Sequence, residues 1–264
     1  MRIAGAQIPV TNNVKKNVSQ ILTALEWASD NKVDFILFPE GALSGYLRPF
    51  RDIFEEDIEF HLSNVVRAAT SAGVSIGLPT LYIQPVDFGL VKQSQIKYYN
   101  DAGQPAGTYS KQMVIPADEC YPGQSSVITN FEGINANGRY DFSVGSFVCN
   151  DLWGELNQKV IANENLQYYA DNNVDFICHS TNGFRAEKAG DEKSNQKIKE
   201  YGDIHLWMAA RYGVPILTVD NCNTIDGKVY TGTTSSTSGI IYRGEWLVTA
   251  NDNGLNYFYY DLEV

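Results

Sequence analysis

Asp30-Asn31-Lys32-Val33-Asp34-Phe35-Ile36 and Asp171-Asn172-Asn173-Val174-Asp175-Phe176-Ile177 are nearly the same heptapeptide, written twice 141 residues apart. In each copy a polar lead gives way to valine, phenylalanine and isoleucine. That is how a chain leaves a helix and enters a buried strand. A second echo, Ala68-Ala69…Gly73-Val74 against Ala209-Ala210…Gly213-Val214, falls at offsets of 141 and 140. Two matches at almost one offset predict two related helix–strand halves packed as one body.

Working outward from these anchors, short apolar runs alternate with helical periodicity. Strands are expected at Arg2–Gln7, Val33–Phe38, Val74–Tyr82, Phe142–Val148, Val174–Cys178 and Pro215–Val219. Helices are expected at Val14–Ser29, Phe60–Ser71, Glu155–Asp171 and Tyr201–Arg211, with Gly73 placed as a left-handed cap. Gln95–Asn100 and Gly107–Ser110 flank an Asp-Ala-Gly turn and read as a hairpin. Short strands near Gly239–Tyr242, Glu245–Val248 and Tyr257–Asp261 close the chain. Strands alternating with helices imply an α/β fold with much buried sheet. Nothing between the halves is rich in proline, serine or charge, so residues 1–264 read as a single domain of the size one compact unit can hold.

Composition narrows the function. The net charge is −11 and the isoelectric point about 4.7, so a phosphate backbone or anionic lipid finds no electrostatic footprint; neither nucleic acid nor membrane is expected as a partner. The 44% apolar and 19% charged residues are ordinary globular usage and exclude disorder. Four cysteines in a chain this long fit reduced thiols rather than a disulfide framework. The opening MRIAGAQIPV resembles neither a secretory signal nor a membrane span, and the expectation is a soluble cytoplasmic protein.

In α/β folds ligands gather where strands end, so polar residues at those points are the candidates. Glu40 follows the strand ending at Phe38, Lys111 follows the hairpin's second strand, and Cys149 ends the strand Phe142–Val148. A thiol with an ordinary pKa near 8.5 is mostly protonated at neutral pH, so a nucleophilic Cys149 needs a base or a neighbouring cation. A carboxylate within about 3 Å supplies the first, and a lysine ammonium both favours the thiolate and stabilises an oxyanion. Each residue also has a plainer reading: Cys149 as a packed small hydrophobe, Glu40 as the start of a turn, Lys111 as a solvated loop charge. His179 at the end of its strand is the rival base; His61 and His205 lie inside helical patterns. Cys120, Cys149, Cys178 and Cys222 form no C-x-x-C pair and no H-E-x-x-H occurs, so no metal is expected. Neither glycine-rich nucleotide motif is present, and Thr231–Ser236 reads as a polar turn.

Phe38-Pro39-Glu40-Gly41-Ala42-Leu43-Ser44-Gly45-Tyr46, then Tyr109-Ser110-Lys111 with Pro116 and Glu119, then Val148-Cys149-Asn150-Asp151-Leu152-Trp153, resemble the nitrilase superfamily of carbon–nitrogen hydrolases. The likeness runs from Arg2-Ile3-Ala4-Gly5-Ala6-Gln7 to the Gly239–Gly244 turn. It implies a four-layer α-β-β-α sandwich with pseudo-twofold halves, in agreement with the 141-residue echo. It implies Glu40 as general base, Lys111 as oxyanion stabiliser, Cys149 as nucleophile, and Glu119, eight residues after Lys111, as the second carboxylate that positions Lys111. The Asn150 N–H becomes the other oxyanion donor. Tyr46 and Trp153 are expected to wall the pocket, and Asn182, in the loop His179–Gly183, to touch a hydrophilic amide substrate. No cofactor is implied, and a homodimer or higher multiple is expected through helices near the nucleophile. Family members often carry an arginine where this chain has Trp153, which leaves the substrate open among a small polar amide, an N-carbamoyl amine or amino acid, and a nitrile. A non-catalytic binding scaffold is the alternative of another class, although all three of Glu40, Lys111 and Cys149 are present.

Overall fold

In the computed structural model, which describes residues 1–135, 138–153, 155–156, 159–183, 192–222, 224–225, 228–229, 234–251 and 254–263, the echoed heptapeptides make the same junction twice. Each follows a helix that ends at its first aspartate, Asp30 or Asp171. Lys32 and Asn173 then turn the chain through the left-handed region, at φ 55° and 51°. The Val33 N–H returns to the Ala28 carbonyl at 2.9 Å, and the Val174 N–H to Tyr169 at 3.2 Å. Asp34 accepts the Arg2 N–H at 2.6 Å, and Asp175 accepts the Ser143 N–H at 2.7 Å. Each aspartate thereby fixes a helix exit against the neighbouring strand. One position on, Phe35 and Phe176 meet edge to face, with centroids 5.3 Å apart.

The first half runs β1 (Arg2–Gln7), α1 (Val14–Asp30), β2 (Phe35–Leu37), α2 (Phe50–Glu55), α3 (Ile58–Ala72), β3 (Ser75–Val86), β4 (Gly89–Tyr99) and β5 (Pro105–Ser110). The second contains β6 (Thr129–Asn135), β7 (Gly138–Val148), β8 (Glu155–Leu156), β9 (Lys159–Val160), α4 (Ile161–Asp171), β10 (Phe176–Ser180), α5 (Glu192–Ala209), β11 (Ile216–Val219), β12 (Thr224–Ile225), β13 (Lys228–Val229), β14 (Gly239–Tyr242) and β15 (Glu245–Thr249). A final strand, β16 (Asn256–Asp261), returns to the first sheet. One sheet has the order β16-β1-β2-β3-β4-β5 and the other β6-β7-β10-β11-β14-β15. Position by position they match: three central parallel strands, an antiparallel edge on one side and an antiparallel pair on the other.

Three buried clusters separate four layers. α1 and α3 pack through Ile21, Leu25, Leu62 and Val65 on the outer face of the first sheet. Phe35, Tyr98, Phe131, Phe142, Phe176 and Leu217 fill the space between the sheets. α4 and α5 cover the second sheet through Leu166, Tyr169, Leu206 and Ala209. This is the α-β-β-α sandwich that the resemblance implied. Capping follows local chemistry: Asn13 and Asp57 accept the Lys16 and Phe60 N–H groups at the starts of α1 and α3, and Gly73 ends α3 at φ 67°.

Some expectations need correction. Glu155–Leu156 pairs antiparallel with Lys159–Val160 as β8 and β9, so α4 begins at Ile161 and not at Glu155. α5 starts earlier than Tyr201, and neither α2 nor β6 was expected. Of the Thr231–Ser236 loop, residues 231–233 lie outside the described residues. Among the described residues no helix is long and apolar enough to cross a membrane.

β2 and β10 run in the same sense in their two sheets, and the loops beyond their carboxyl ends are tied together. Ser180 Oγ donates to the Phe38 carbonyl at 2.8 Å, the Glu40 N–H to Thr181 O at 3.1 Å, and Asn182 Nδ2 to Glu40 O at 3.0 Å. β7 ends beside β10, which brings Cys149 to the same edge.

Candidate active site

Pro39 stops the first of these strands, and Gly41 turns the chain at φ 72°. A Cβ there would lie 2.6 Å from the Gly45 carbonyl oxygen, so the turn accepts only glycine. Glu40 is thereby left buried, at 2% exposure. Its Oε1 accepts from Lys111 Nζ at 3.0 Å and from Ser94 Oγ at 3.2 Å, while its Oε2 is buried with no hydrogen-bond partner among the described residues. Burial raises the Glu40 pKa above the usual carboxylate value, against the pull of Lys111.

Lys111 is held through its own N–H to the Ser94 carbonyl at 2.9 Å. Its ammonium also lies 3.0 Å from Asp118 Oδ2. Burial works against the charge, but the Glu40 and Asp118 carboxylates outweigh it and hold the ammonium protonated.

Cys149 opens a single 3-10 turn, Cys149–Asp151, at φ 50°. A left-handed backbone is uncommon for a residue with a side chain and costs of order 1–3 kcal/mol, so the surroundings must enforce it. Asp151 does so. Buried, it accepts the N–H of Val148 at 3.0 Å, of Gln112 at 2.9 Å and of Met113 at 2.6 Å, and the Tyr109 hydroxyl at 2.8 Å. One carboxylate therefore ties the Cys149 turn to the segment that follows Lys111. Burial pushes the Cys149 thiol up to about 12, with the Glu40 charge adding to the rise; Lys111 and the nearby Thr181 hydroxyl oppose it. The resting thiol is protonated, so attack requires a base to take the proton as the new bond forms.

The rival base is differently engaged. His179 faces Thr218 Oγ1 through Nδ1 at 2.8 Å and the Cys149 carbonyl through Nε2 at 3.4 Å. A carbonyl only accepts, so Nε2 carries the proton. Burial lowers the imidazole pKa to about 4, which leaves the ring neutral.

The remaining expected residues divide. The Tyr46 phenol stands in the fields of Glu40, Cys149 and Lys111, and burial raises its pKa. Trp153 donates to Asn150 Oδ1 at 3.0 Å and packs edge-on against His179 at 5.1 Å, so Asn150 and Trp153 brace one wall beside Cys149. Asn182 is a strut: it donates to the Glu40 carbonyl and accepts from Asn221 Nδ2 at 2.8 Å. Glu119 requires correction. It is exposed and left-handed at φ 49°, and the carboxylate that reaches Lys111 belongs to Asp118, one residue earlier and 4% exposed. Ser94 and Thr181 were missed as well; the buried Thr181 hydroxyl stands beside the Cys149 thiol. The period-two parity of β4 was the one signal that could have found Ser94.

With sheets and site in view, the chain matches the carbon-nitrogen hydrolase family over residues 2–190, and it belongs to that family. Among solved structures it is similar to the NitN amidase from Nesterenkonia sp. AN1, at 19% identity and a TM-score of 0.73, covering 100% of this chain and 93% of that one. It is also similar to an alanine variant of that amidase, described as belonging to the nitrilase superfamily, at 20% identity and a TM-score of 0.71, covering 97% and 89%. An alanine variant in complex with butyramide matches at 18% identity and a TM-score of 0.71, with the same coverage. No curated protein matches the chain at a significant level.

Proposed function

We propose that the protein hydrolyses a small polar carboxamide through a thioester on Cys149. The observation that carries this reading is the division of labour at Glu40: Oε1 is held by Lys111 at 3.0 Å, Oε2 is buried with no hydrogen-bond partner among the described residues, and the Glu40 charge acts on the buried Cys149 thiol. Glu40 takes the Cys149 proton as Sγ bonds to the amide carbon. The resulting oxyanion is stabilised by the Lys111 ammonium and the Asn150 N–H. Glu40 returns the proton to nitrogen, the C–N bond breaks and ammonia leaves. Glu40 then deprotonates a water that attacks the thioester; the carboxylic acid departs and Sγ recovers its proton. Amidase activity and bound butyramide in the structural relatives support this choice over carbamoyl or nitrile substrates. We also propose a homodimer, supported by the apolar residues that α5 leaves exposed.

The test is ammonia release from a panel of small amides, carbamoyl amines and nitriles, with wild type beside Cys149→Ala. The expected result is release in wild type, a loss of roughly 10³-fold or more in the variant, and an unchanged melting temperature. Wild-type turnover in the variant would overturn the assignment, and no release from any substrate would favour the binding-scaffold reading. Since Glu40 must be ionised to act and burial raises its pKa, the rate should fall on acidification while the pH is still above the ordinary glutamate value of 4.5.

A further inference from the structure

Three cations are buried among the described residues: Arg48, Lys92 and Lys111. Lys111 has Glu40 and Asp118, and Arg48 has Glu56 at 3.4 Å. Lys92, only 3% exposed, donates to the Arg48 carbonyl at 2.5 Å. Among the described residues no carboxylate oxygen lies within 4.0 Å of its ammonium. A buried ammonium with one neutral acceptor is costly, and an anion in its reach would relieve that cost.

Its position says where such an anion would sit. β4 sends alternate side chains toward the second sheet: the Tyr98 hydroxyl meets Ser146 Oγ at 2.7 Å, Ile96 lies in the core between the sheets, and Ser94 reaches Glu40. Lys92 is the next residue on that face, about 6.8 Å further along the strand. The Cys120 thiol stands in the fields of both Lys92 and Lys111. On the other side, the Arg48 carbonyl that Lys92 holds is two residues from Tyr46, whose phenol senses Glu40, Cys149 and Lys111. Lys92 is therefore at the rim of the Glu40–Lys111–Cys149 centre, between the Tyr46–Arg48 segment and Cys120.

We propose that Lys92 is an anion subsite of this centre, and that the preferred substrate is a short carboxamide bearing a carboxylate at its far end, a monoamide of a dicarboxylic acid. The inference rests on the amide-hydrolase reading above. A spacer of roughly two or three carbons suits one further step along the strand face. Hydrolysis of such a substrate consumes water and yields ammonia and the dicarboxylate, so no other reactant is needed.

Succinamate and butyramide differ only by a carboxylate in place of a methyl group, which makes them the test pair. Wild type should favour succinamate by at least about tenfold in kcat/KM. Lys92→Gln can still donate to the Arg48 carbonyl but carries no charge; it should lose about tenfold or more of that ratio, chiefly through KM. Lys92→Arg should keep it. A wild type indifferent between the two amides, or a Lys92→Gln variant that retains the preference, overturns the proposal. So does an equal loss on both substrates, which is what a residue that only props the Arg48 carbonyl, or only offsets Glu40 and Asp118, would give. If wild type releases ammonia from neither amide but does so from another member of the panel, the monoamide preference is overturned; if it releases ammonia from nothing in the panel, the hydrolase reading fails. The subsite is then read by calorimetry on Cys149→Ala with and without Lys92→Gln: succinamate binding abolished by the second change supports it, and binding indifferent to that change overturns it.

Discussion

Lys111 holds two carboxylates at 3.0 Å, Glu40 and Asp118, and the pair Asp118 and Glu119 separates a spacing argument from a geometric one. Asp118→Asn should lower kcat by about 10²-fold, because it removes a charge that keeps the Lys111 ammonium in place and protonated. Glu119→Gln, on an exposed side chain, should stay within about twofold of wild type. Steady-state kinetics on any accepted amide decides it; the reverse ranking would restore Glu119 to the role that the resemblance implied. Sequence could not choose between them, because the segment is not a regular strand or helix with a parity to read. The short turn Pro116–Asp118 and the left-handed Glu119 decide which acid faces inward. Glu40, Lys111 and Cys149 were legible for the opposite reason: Glu40 and Cys149 follow strands whose ends can be read from their apolar runs, and Lys111 follows the second strand of a hairpin marked by its Asp-Ala-Gly turn.

Among the elements, α5 carries a face that the fold leaves uncovered. Tyr201, Ile204 and Met208 are each about half exposed, and they share a helix face because they fall three and four residues apart. Tyr168 on α4 is exposed too. A stripe of this kind marks an interaction surface. For the homodimer proposed above, Ile204→Glu should give monomer in light scattering where wild type gives dimer, without changing the melting profile of the monomer. A monomeric wild type would refute the dimer, and a dimeric variant would refute this interface. Long amphipathic segments such as α1 and α3 could be read from their periodicity. The six-residue α2 could not, since too few turns exist for a pattern to repeat. The start of α4 was misplaced because Glu155–Leu156 and Lys159–Val160 pair with each other as strands, a local choice that helix periodicity does not register.

At the scale of the molecule, the loops around the site converge on one buried acid. Asp220, just past β11, accepts N–H groups from Gly183 at 2.8 Å, Asn221 at 2.7 Å, Ser235 at 2.7 Å and Ser236 at 3.3 Å. Burial nevertheless raises its pKa from 3.8 to about 6. A folded pKa above the unfolded one means that the native state binds the proton more tightly. Asp220's contribution to stability is therefore greatest below about pH 4 and falls as pH rises to about 6, by at most about 3 kcal/mol. Urea unfolding of wild type and Asp220→Asn at pH 4 and pH 7 measures it. The wild-type advantage should be larger at pH 4, and a difference that does not change with pH would refute the linkage. The repeated heptapeptide by itself determined the duplicated α/β plan, because a helix exit followed by a buried strand is written in contiguous residues that need no distant partner. Separate apolar runs and a hairpin turn placed Glu40, Lys111 and Cys149 at strand ends. Only the tertiary structure decided that the turn at Pro116–Asp118 presents Asp118 and not Glu119 to Lys111, that Ser94 touches Glu40, that His179 is neutral and that Lys92 is buried with no carboxylate beside it among the described residues. Those properties depend on which distant chains exclude water from a side chain, and a linear sequence carries no record of that.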